Sequence, residues 1–235
     1  IRYLLSLTTT GTPSRQGEYY HVGPFTIIGS TNTTFGILDD GSGGIQVDKS
    51  SFWMSGGPSP TLAKRLVALS GRVESNNGVL LLQDGRQYEG GITNANLPAP
   101  VLRRVDQLQA GTINLADAEN PELYESRMVV LRGVQKVVVA TNTWPTGTLS
   151  VNYLVYDDTA PAMTFTVRFF EGIRNSGNVE PSSGTRFDVV GTLGQFDTSD
   201  PRFSGYQMAL PTNTVAGVTK GIGIIERPVN LTALP

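Results

Sequence analysis

The residues in this chain that could carry acid–base or metal chemistry are two pairs of adjacent carboxylates and one histidine. Asp39-Asp40 and Asp157-Asp158 each follow an apolar run, and His21 is the only histidine among the 235 residues. Paired carboxylates held face to face can bind Ca²⁺ or act as general acid and base. These pairs instead stand directly before Gly or Thr, which is typical of turns. We therefore predict two carboxylate turns, and a structural His21 that is solvated or hydrogen-bonded.

The other chemical motifs of the sequence are incomplete. Asp197, Ser199 and Asp200 are spaced like ligands of a calcium loop, but the glycine and the distal glutamate of an EF-hand are missing. The glycine-rich run Gly41–Gly44 is followed by neither Lys-Ser/Thr nor a helix, so it does not indicate a phosphate loop. The chain has no cysteine, and a serine nucleophile would need a histidine beside it. We predict no enzymatic activity, no metal and no cofactor.

The carboxylate pairs belong to a pattern that occurs twice in the chain. The matched segments are Phe35–Asp40 with Tyr153–Asp158, and Leu69–Val73 with Val189–Leu193. The spacing between the copies is nearly constant, and the alignment pairs Asp39 with Asp157. This internal repeat predicts two copies of one β-rich domain instead of a single fold spread over the whole chain.

Alternation of apolar and polar residues predicts half-buried strands in both copies. Met163–Phe169 and Tyr206–Leu210 alternate with a period of two. Gly71 and Gly191 fall inside such strands, where glycine marks a bulge or a sharp bend. Asn76-Asn77-Gly78 suits a tight hairpin. The second copy has a longer loop in place of that hairpin turn.

The predicted fold is all-β, with two tandem five-stranded Greek-key barrels and terminal strand extensions. Residues 59–66 and 120–124 are each predicted to form one or two helical turns. Leu97–Val101 contains two prolines and predicts an extended linker. The predicted limits are 1–17 for the N-terminal extension, 18–98 for the first domain, 99–213 for the linker and second domain, and 214–235 for the C-terminal extension.

Both copies resemble the OB-fold, a small Greek-key barrel, and in particular the OB-fold modules of bacterial exported proteins, including those attached to secreted nucleases. The segments that carry the resemblance are Phe35–Leu38 running into Asp-Asp, Gly44–Val47, Leu66–Val73 and Val79–Leu82. Tyr124-Glu125-Ser126 resembles the family's Tyr-Glu-Gly before the first strand, with serine in place of glycine. The resemblance covers residues 18–98 and 101–213. It implies the fold and an exported setting, and it implies the ligand class only weakly because OB-folds host unrelated functions.

Composition favours an extracellular or cell-surface protein with a neutral, polar surface. Only 16% of residues are charged, the net charge is −2, and 39% are hydrophobic. No apolar run reaches the about 18 residues of a membrane span. The chain begins at Ile1 rather than Met, so we expect a processed form or a fragment. The low net charge opposes a dedicated nucleic-acid binder, whose affinity comes from cations that neutralise phosphates.

Two functions remain open at this point, and the first is self-association. Apolar terminal segments are a liability unless they are paired, so they either pack on the chain's own barrels or add to a sheet of another copy. The second case predicts a structural subunit that assembles by strand addition, into a filament or surface layer. The predicted assembly residues are Ile1, Tyr3, Leu5, Leu7, Ile222, Ile224 and Ile225.

The alternative is an OB-fold module that binds single-stranded nucleic acid or another polyanion. OB-folds bind single strands with aromatic side chains and flanking cations on the second and third strands. The candidate ligand face comprises Phe35, Lys49, Phe52, Trp53, Tyr153, Tyr156 and Arg168. Because the chain carries few cations, we expect weak and salt-sensitive binding at most.

Overall fold

The computed structural model describes residues 13–31, 35–48, 64–66, 69–87, 93–94, 97–109, 120–137, 151–169, 180–199, 202, 204–210 and 223–226. The described residues form an all-β protein with two sheets. The strands are β1 (Tyr19–Val22), β2 (Phe25–Thr31), β3 (Phe35–Asp39), β4 (Gly44–Asp48), β5 (Lys64–Leu66), β6 (Leu69–Asn76), β7 (Val79–Gln87), β8 (Thr93–Asn94), β9 (Val101–Arg103), β10 (Met128–Lys136), β11 (Val151–Tyr156), β12 (Phe165–Phe169), β13 (Phe187–Gln195), β14 (Tyr206–Leu210) and β15 (Gly223–Glu226).

The second sheet contains a closed five-stranded barrel, which we call barrel 2. β10, β11 and β12 form an antiparallel meander, β12 pairs in parallel with β14, and β14 pairs antiparallel with β13. β13 then pairs with β10 and closes the ring. This is the Greek-key connection of the OB-fold, so the predicted fold class is confirmed.

The first sheet has the same connection, and we call it barrel 1. β2, β3 and β4 form the meander, β4 runs parallel to β7, and β7 pairs antiparallel with β6. β1 pairs with β6, where Val22 lies opposite Leu69, and β2 pairs with β5, where Phe25 lies opposite Leu66. Val22 and Phe25 are three positions apart, and so are Leu66 and Leu69, so the two pairings share one register and link the ends of the ring.

Each barrel has its own apolar core because alternate strand residues point inward. The core of barrel 1 comprises Phe25, Ile27, Leu38, Ile45, Val47, Leu69, Val73, Leu80 and Leu82. The core of barrel 2 is drawn from residues 105–208 and includes Val129, Tyr153, Phe169, Val189 and Met208. The domain limits themselves stay a prediction.

The predicted turn at Asn76-Asn77-Gly78 is confirmed and joins β6 to β7. Asn77 and Gly78 have φ values of 51° and 99°, the left-handed pair that a two-residue hairpin requires. The β6–β7 register shifts between Ser70 and Arg72, which lie opposite Arg86 and Gln83. The extra residue of the bulge is therefore in β7, and the predicted bulge glycine Gly71 lies opposite it. Pro121–Tyr124 is a 3-10 helix, as the sequence predicts, and the Asn120 side chain caps it by accepting from the Glu122 N–H at 3.1 Å. The other predicted helix, 59–66, is wrong at Lys64–Leu66, which is strand β5, and the rest lies outside the described residues.

The repeat is real, but the predicted alignment of the carboxylate turns is off by one residue. Asp40 Oδ1 accepts from the Ser42 N–H and hydroxyl and from the Gly43 N–H. Asp157 Oδ1 accepts from the Thr159 N–H and hydroxyl and from the Ala160 N–H in the same pattern. Asp40, not Asp39, is therefore the counterpart of Asp157. A slip of one residue moves every side chain to the other face of the strand.

The entry into each barrel also repeats. Gly17 N–H donates to Val73 O, and the Val73 N–H donates to Glu18 O. Ser126 N–H donates to Leu193 O, and the Leu193 N–H donates to Arg127 O. Gly17 and Ser126 both have a positive φ, of 86° and 57°. The segments before the two first strands are therefore equivalent, with Ser126 in the place of Gly17.

Two further strands extend barrel 2. β9 pairs in parallel with β10, and β15 pairs antiparallel with Phe187–Val190 of β13. The remaining part of that β13 edge, Thr192–Gln195, is paired with β14. β15 therefore completes an edge that β14 covers only in part. No helix among the described residues has the length and apolar character needed to cross a membrane.

Candidate interaction surfaces

The outer face of β2 and β3 in barrel 1 is covered by barrel 2. Ile28 and Ile37 point away from the barrel 1 core, yet they are 0% and 1% exposed. They pack in one apolar cluster with Met128, Val130 and Val190 from the outer face of β10 and β13. In this contact, the first two strands of barrel 1, β2 and β3, pack against the first and fourth strands of barrel 2, β10 and β13.

Two glycines allow the barrels to approach this closely. An ideal Cβ on Gly44 of β4 would lie 2.1 Å from Ser126 O, and one on Gly78 would lie 1.7 Å from Gln195 Oε1. Real Cβ atoms do not approach other atoms so closely, so any side chain at Gly44 would push the backbone of barrel 2 away. At Gly44 the glycine allows contact between backbones, whereas Gly78 faces the Gln195 side chain.

Polar contacts surround the apolar cluster. The Arg127 guanidinium lies 3.5 Å from Asp39 Oδ2 and donates to Gly41 O at 3.2 Å. Arg202 Nη1 donates to Ser75 Oγ at 3.2 Å, and the Asp197 N–H donates to Asn77 O at 2.9 Å. Burial raises the pKa of Asp39, although the Gly41 N–H and Arg127 oppose that shift.

A cluster of buried acids lies beside this interface. Glu122 and Glu125 are each 2% exposed, and the Tyr206 hydroxyl donates to Glu122 Oε1. Burial raises the pKa of Glu122 to about 7, opposed by the Tyr206 hydrogen bond and assisted by the charge of Asp197. Burial also raises the pKa of Glu125 well above its usual range, the charge of Glu122 adds to the shift, and the Leu80 backbone N–H of barrel 1 opposes it. Glu125 therefore links the two barrels through its hydrogen bond with the Leu80 backbone.

In barrel 2, the outer face of β11 and β12, its second and third strands, carries exposed side chains. Leu154 is 37% exposed and lies opposite Thr166, and exposed Asn152 lies opposite half-buried Arg168. The half-buried Tyr156 donates its hydroxyl to Gln135 Oε1 at 3.3 Å. We call these residues of β11 and β12 the open face. It is a mixed surface with one aromatic ring, one aliphatic side chain and one cation.

Leu154 occupies in barrel 2 the place that Ile37 occupies in barrel 1. The Asp40–Asp157 correspondence sets the register of β3 against β11, and Ile37 and Leu154 each stand three residues before that aspartate. Ile37 lies opposite Gln46 of β4, and Leu154 lies opposite Thr166 of β12. The apolar character of the position is the same in both barrels, and only the covering differs.

The predicted ligand-face residues are only partly brought together. Tyr156 and Arg168 lie on the open face. The prediction for Tyr153 is wrong: this residue is 2% exposed, packs edge-on against Phe169 and donates its hydroxyl to Glu180 Oε1 at 2.9 Å. Its ring belongs to the core because Tyr153 is two residues from the buried Val155 and faces inward with it, whereas Tyr156 has the opposite parity. Phe35 is the first residue of β3. Lys49, Phe52 and Trp53 lie outside the described residues.

The predicted assembly residues fall mostly outside the described part of the chain. Ile1, Tyr3, Leu5, Leu7 and Ile222 are in this group. Ile224 and Ile225 are in β15, opposite Val189 and Asp188 of the same chain. The C-terminal strand β15 thus pairs within its own chain. This is the first of the two expected cases, in which a terminal segment packs on the chain's own barrels.

The predicted carboxylate turns are confirmed. Asp39 Oδ1 accepts from the Gly41 N–H at 2.6 Å, and Asp158 pairs with Arg186. Both oxygens of Asp197 accept hydrogen bonds from backbone and side-chain groups of Ser199 and Ser204. Burial raises the pKa of Asp197, but these hydrogen bonds outweigh it and the net shift is downward. Asp200 lies outside the described residues.

His21 has the structural setting that was predicted. It is exposed on β1, and its Nδ1 lies 3.0 Å from Ser70 Oγ. Within the described ranges, no three His, Asp or Glu side chains are grouped closely enough to hold a metal ion.

Many of the cations are paired with carboxylates of the protein itself. The ion pairs among the described side chains include Arg15–Glu18, Arg72–Glu74, Arg72–Asp84, Arg104–Asp106, Arg127–Asp39, Lys136–Glu180 and Arg186–Asp158. Arg103 lies instead over the Tyr124 ring, 3.7 Å from its centroid. This arrangement leaves little concentrated positive charge for a polyanion.

Several solved structures are similar to this chain, among them p202 HIN2 and the p204 HINb domain. No protein-family model matches the chain, and no curated protein does. The crystal structure of the tetrameric p202 HIN2 shares 10% identity, with a TM-score of 0.28, over 90% of this chain and 97% of that one. The p204 HINb domain shares 12% identity, with a TM-score of 0.29, over 81% and 93% of the two chains. Likenesses with such low TM-scores carry no argument about function.

Proposed function

We propose that this chain is a non-enzymatic interaction subunit of two docked OB-fold barrels, in which the open face of barrel 2 receives a partner. The observation that carries the proposal is the contrast between Ile37 and Leu154. The same position is covered by a neighbouring barrel in one copy and exposed to solvent in the other. The low charge and polar surface of the chain support an extracellular or cell-surface setting for such a subunit.

The roles of the carboxylates support the non-enzymatic part of the proposal. Asp40, Asp157 and Asp197 have oxygens that accept several hydrogen bonds within their own loops. Groups used in this way stabilise turns and are poorly placed to accept a proton from a substrate. Glu122 and Glu125 are enclosed beside the inter-barrel contact, where a substrate does not reach them.

Strand addition by the C-terminal segment is a second way in which such a subunit can assemble. β15 satisfies backbone groups of β13 that β14 leaves unpaired. The same four-residue pairing made with β13 of another copy would give the same backbone hydrogen bonds, which is the basis of strand exchange. Removal of residues 219–235 tests this route, because exchange requires the segment and docking on the open face does not.

Binding of single-stranded nucleic acid is the alternative function. Tyr156 and Arg168 are an aromatic ring and a cation on the second and third strands of barrel 2, where OB-folds bind single strands. The ion pairing of most described cations favours weak, salt-sensitive binding.

The test combines two measurements on the wild-type chain and on Leu154→Glu. Sedimentation velocity over a concentration series reports self-association, and fluorescence anisotropy with single-stranded DNA at roughly 150 mM salt reports the alternative. Leu102→Glu is the matched control, because Leu102 is also exposed but lies on β9, away from the open face. If Leu154→Glu loses either interaction and Leu102→Glu keeps it, the result supports the open face as the binding surface. Interactions that survive Leu154→Glu, or a wild-type chain that shows neither, contradict the proposal.

A further inference from the structure

Barrel 2 meets the β6–β7 hairpin of barrel 1 at residues 77–80. The Asp197 N–H donates to Asn77 O at 2.9 Å. Further along the hairpin, the Leu80 N–H donates to the carboxyl group of Glu125. Both hydrogen bonds cross from one barrel to the other, so both are lost if the barrels separate. We call this group of contacts the hairpin contact.

The barrel 2 side of the hairpin contact is acidic. Glu122 and Glu125 are each 2% exposed, and Asp197 is 6% exposed. The titratable groups that act on the two glutamates are each other, Asp197 and the Tyr206 hydroxyl, and barrel 1 contributes the uncharged Leu80 N–H. An acid that is buried this deeply has to find a cation or remain uncharged.

No cation in the described part of the chain forms an ion pair with either glutamate. Two arginines cross the interface between the barrels, but they bind other groups. Arg127 lies 3.5 Å from Asp39 Oδ2 of barrel 1. Arg202 donates to Ser75 Oγ of barrel 1 at 3.2 Å. The hairpin contact therefore encloses two carboxyl groups that it accommodates best without their charge.

A second tyrosine–glutamate pair in barrel 2 shows what a cation changes. The Tyr153 hydroxyl donates to Glu180 Oε1 at 2.9 Å, and Lys136 Nζ donates to the same oxygen at 2.8 Å. Burial raises the pKa of Glu180, but the hydrogen bonds from Lys136 and Tyr153 outweigh it and the net shift is downward. Glu122 has the tyrosine without the lysine, and burial raises its pKa to about 7.

The closed hairpin contact also leaves polar atoms unsatisfied. Glu125 Oε1, Ser126 Oγ and Gln195 Oε1 are buried and have no hydrogen-bond partner among the described residues. Gln195 lies against Gly78 of the hairpin. A buried polar atom without a partner costs free energy that it recovers when water reaches it. Separation of the barrels is therefore less costly here than at a fully satisfied interface.

We propose that the hairpin contact is a pH-sensitive latch between the barrels, closed while Glu122 and Glu125 hold their protons and open once they ionise. The latch is separate from the open face on β11 and β12, so this inference does not depend on the proposed function. Opening uncovers the apolar cluster of Ile28, Ile37, Met128, Val130 and Val190. The pH then controls whether that surface is available to a partner.

The direction of the pH effect follows from the state that binds the protons more tightly. Burial raises the pKa of Glu122 from 4.5 to about 7 and that of Glu125 well above its usual range, and water on opening returns both toward their ordinary values. Closure is therefore strongest below about 4.5 and is lost as the pH rises through about 7. Over this interval the closing equilibrium constant falls by up to about tenfold per pH unit for each glutamate.

The experiment measures the distance between the barrels without unfolding either one. The chain has no cysteine, so Tyr19→Cys and Ala162→Cys give one fluorophore attachment site in each barrel. Both side chains are exposed. Single-molecule energy transfer reports the closed and open populations at pH 5 and pH 8, and circular dichroism reports whether the barrels stay folded.

The labelled chain should show a second population with altered transfer efficiency, at least about tenfold larger at pH 8 than at pH 5, and an unchanged circular dichroism spectrum. Glu122→Gln combined with Glu125→Gln removes both titrating groups, so the populations should no longer depend on pH. Glu125→Gln alone leaves one group and should make the dependence about half as steep on a logarithmic scale. Glu180→Gln is the matched control and should behave as the labelled chain does.

Three results overturn the latch. The first is a single population at both pH values. The second is a population that responds to pH equally with and without the glutamine substitutions. The third is a second population that appears only together with loss of the circular dichroism signal, because the glutamates then govern unfolding of the whole chain. None of these results involves Leu154, so failure of the latch leaves the open face to be tested separately.

Discussion

Ile37 and Leu154 hold the same place in the two barrels, three residues before the aspartate that closes the β3–β4 and β11–β12 turns. Ile37 is 1% exposed beneath Met128 and Val130, whereas Leu154 is 37% exposed. Burial of an aliphatic side chain of this size contributes about 1.5–3 kcal/mol, so the covered position stabilises the barrel-on-barrel contact. The uncovered position leaves only the exposed 37% of Leu154 for a partner to bury, so the gain available there is correspondingly smaller.

Stability should fall as the pH rises from about 4.5 through about 7, because the pKa of Glu122 is raised from 4.5 to about 7 in the folded protein. Between these values the folded state holds a proton that the unfolded state has released, so folding is favoured at the lower pH. The loss is on the order of 2 kcal/mol. Glu125 adds to it in the same direction.

Urea unfolding at pH 5 and pH 8 measures this dependence. Glu122→Gln keeps the polar contact with Tyr206 but cannot titrate, so its free energy of unfolding should change less between the two pH values. Stability that does not fall over this interval would contradict a raised pKa of Glu122.

Ser126→Gly should stabilise the protein by up to about 1 kcal/mol, because a non-glycine residue at positive φ is strained. Ser126 has φ of 57°, and its buried hydroxyl has no hydrogen-bond partner. The reverse change in barrel 1, Gly17→Ser, is the matched control and should destabilise by a similar amount. Thermal unfolding of both variants measures the difference, and equal melting temperatures would disprove the strain.

Gly44→Ala should destabilise the protein by about 1–3 kcal/mol, because the added methyl group overlaps Ser126 O and separates the barrels. Gly194→Ala is the control: its Cβ would meet only Gln207 O, at 3.9 Å. Chemical denaturation compares the two. If both variants unfold at the same denaturant concentration, the barrels are not in close contact at Gly44.

Local turn chemistry could be predicted from the sequence, and the pairing of the two copies could be predicted only approximately. The Asn77-Gly78 hairpin and the carboxylate turns follow from residues that favour left-handed or side-chain-capped backbone. The alignment failed by one residue because both copies contain Asp-Asp, and residue identity alone cannot choose between the two registers. The hydrogen bonds of Asp40 and Asp157 decide it.

The inter-barrel interface was missed, although the sequence contains a signal for it. Ile27-Ile28 and Ile37-Leu38 are adjacent apolar pairs, and adjacent apolar residues in a strand indicate that both of its faces are buried. The buried acids Glu122 and Glu125 carry no comparable signal, because their burial depends on the position of barrel 2 over Leu80. Interactions between distant segments of this kind require the tertiary structure.

The most direct test of the open face is a dilution series followed by NMR of methyl-labelled isoleucine and leucine. The account predicts that the Leu154 methyl signals shift as concentration rises, since a second copy covers them, while the Ile37 signal stays constant beneath barrel 2. Leu154 signals that do not move up to the highest soluble concentration, or an Ile37 signal that moves instead, would contradict it.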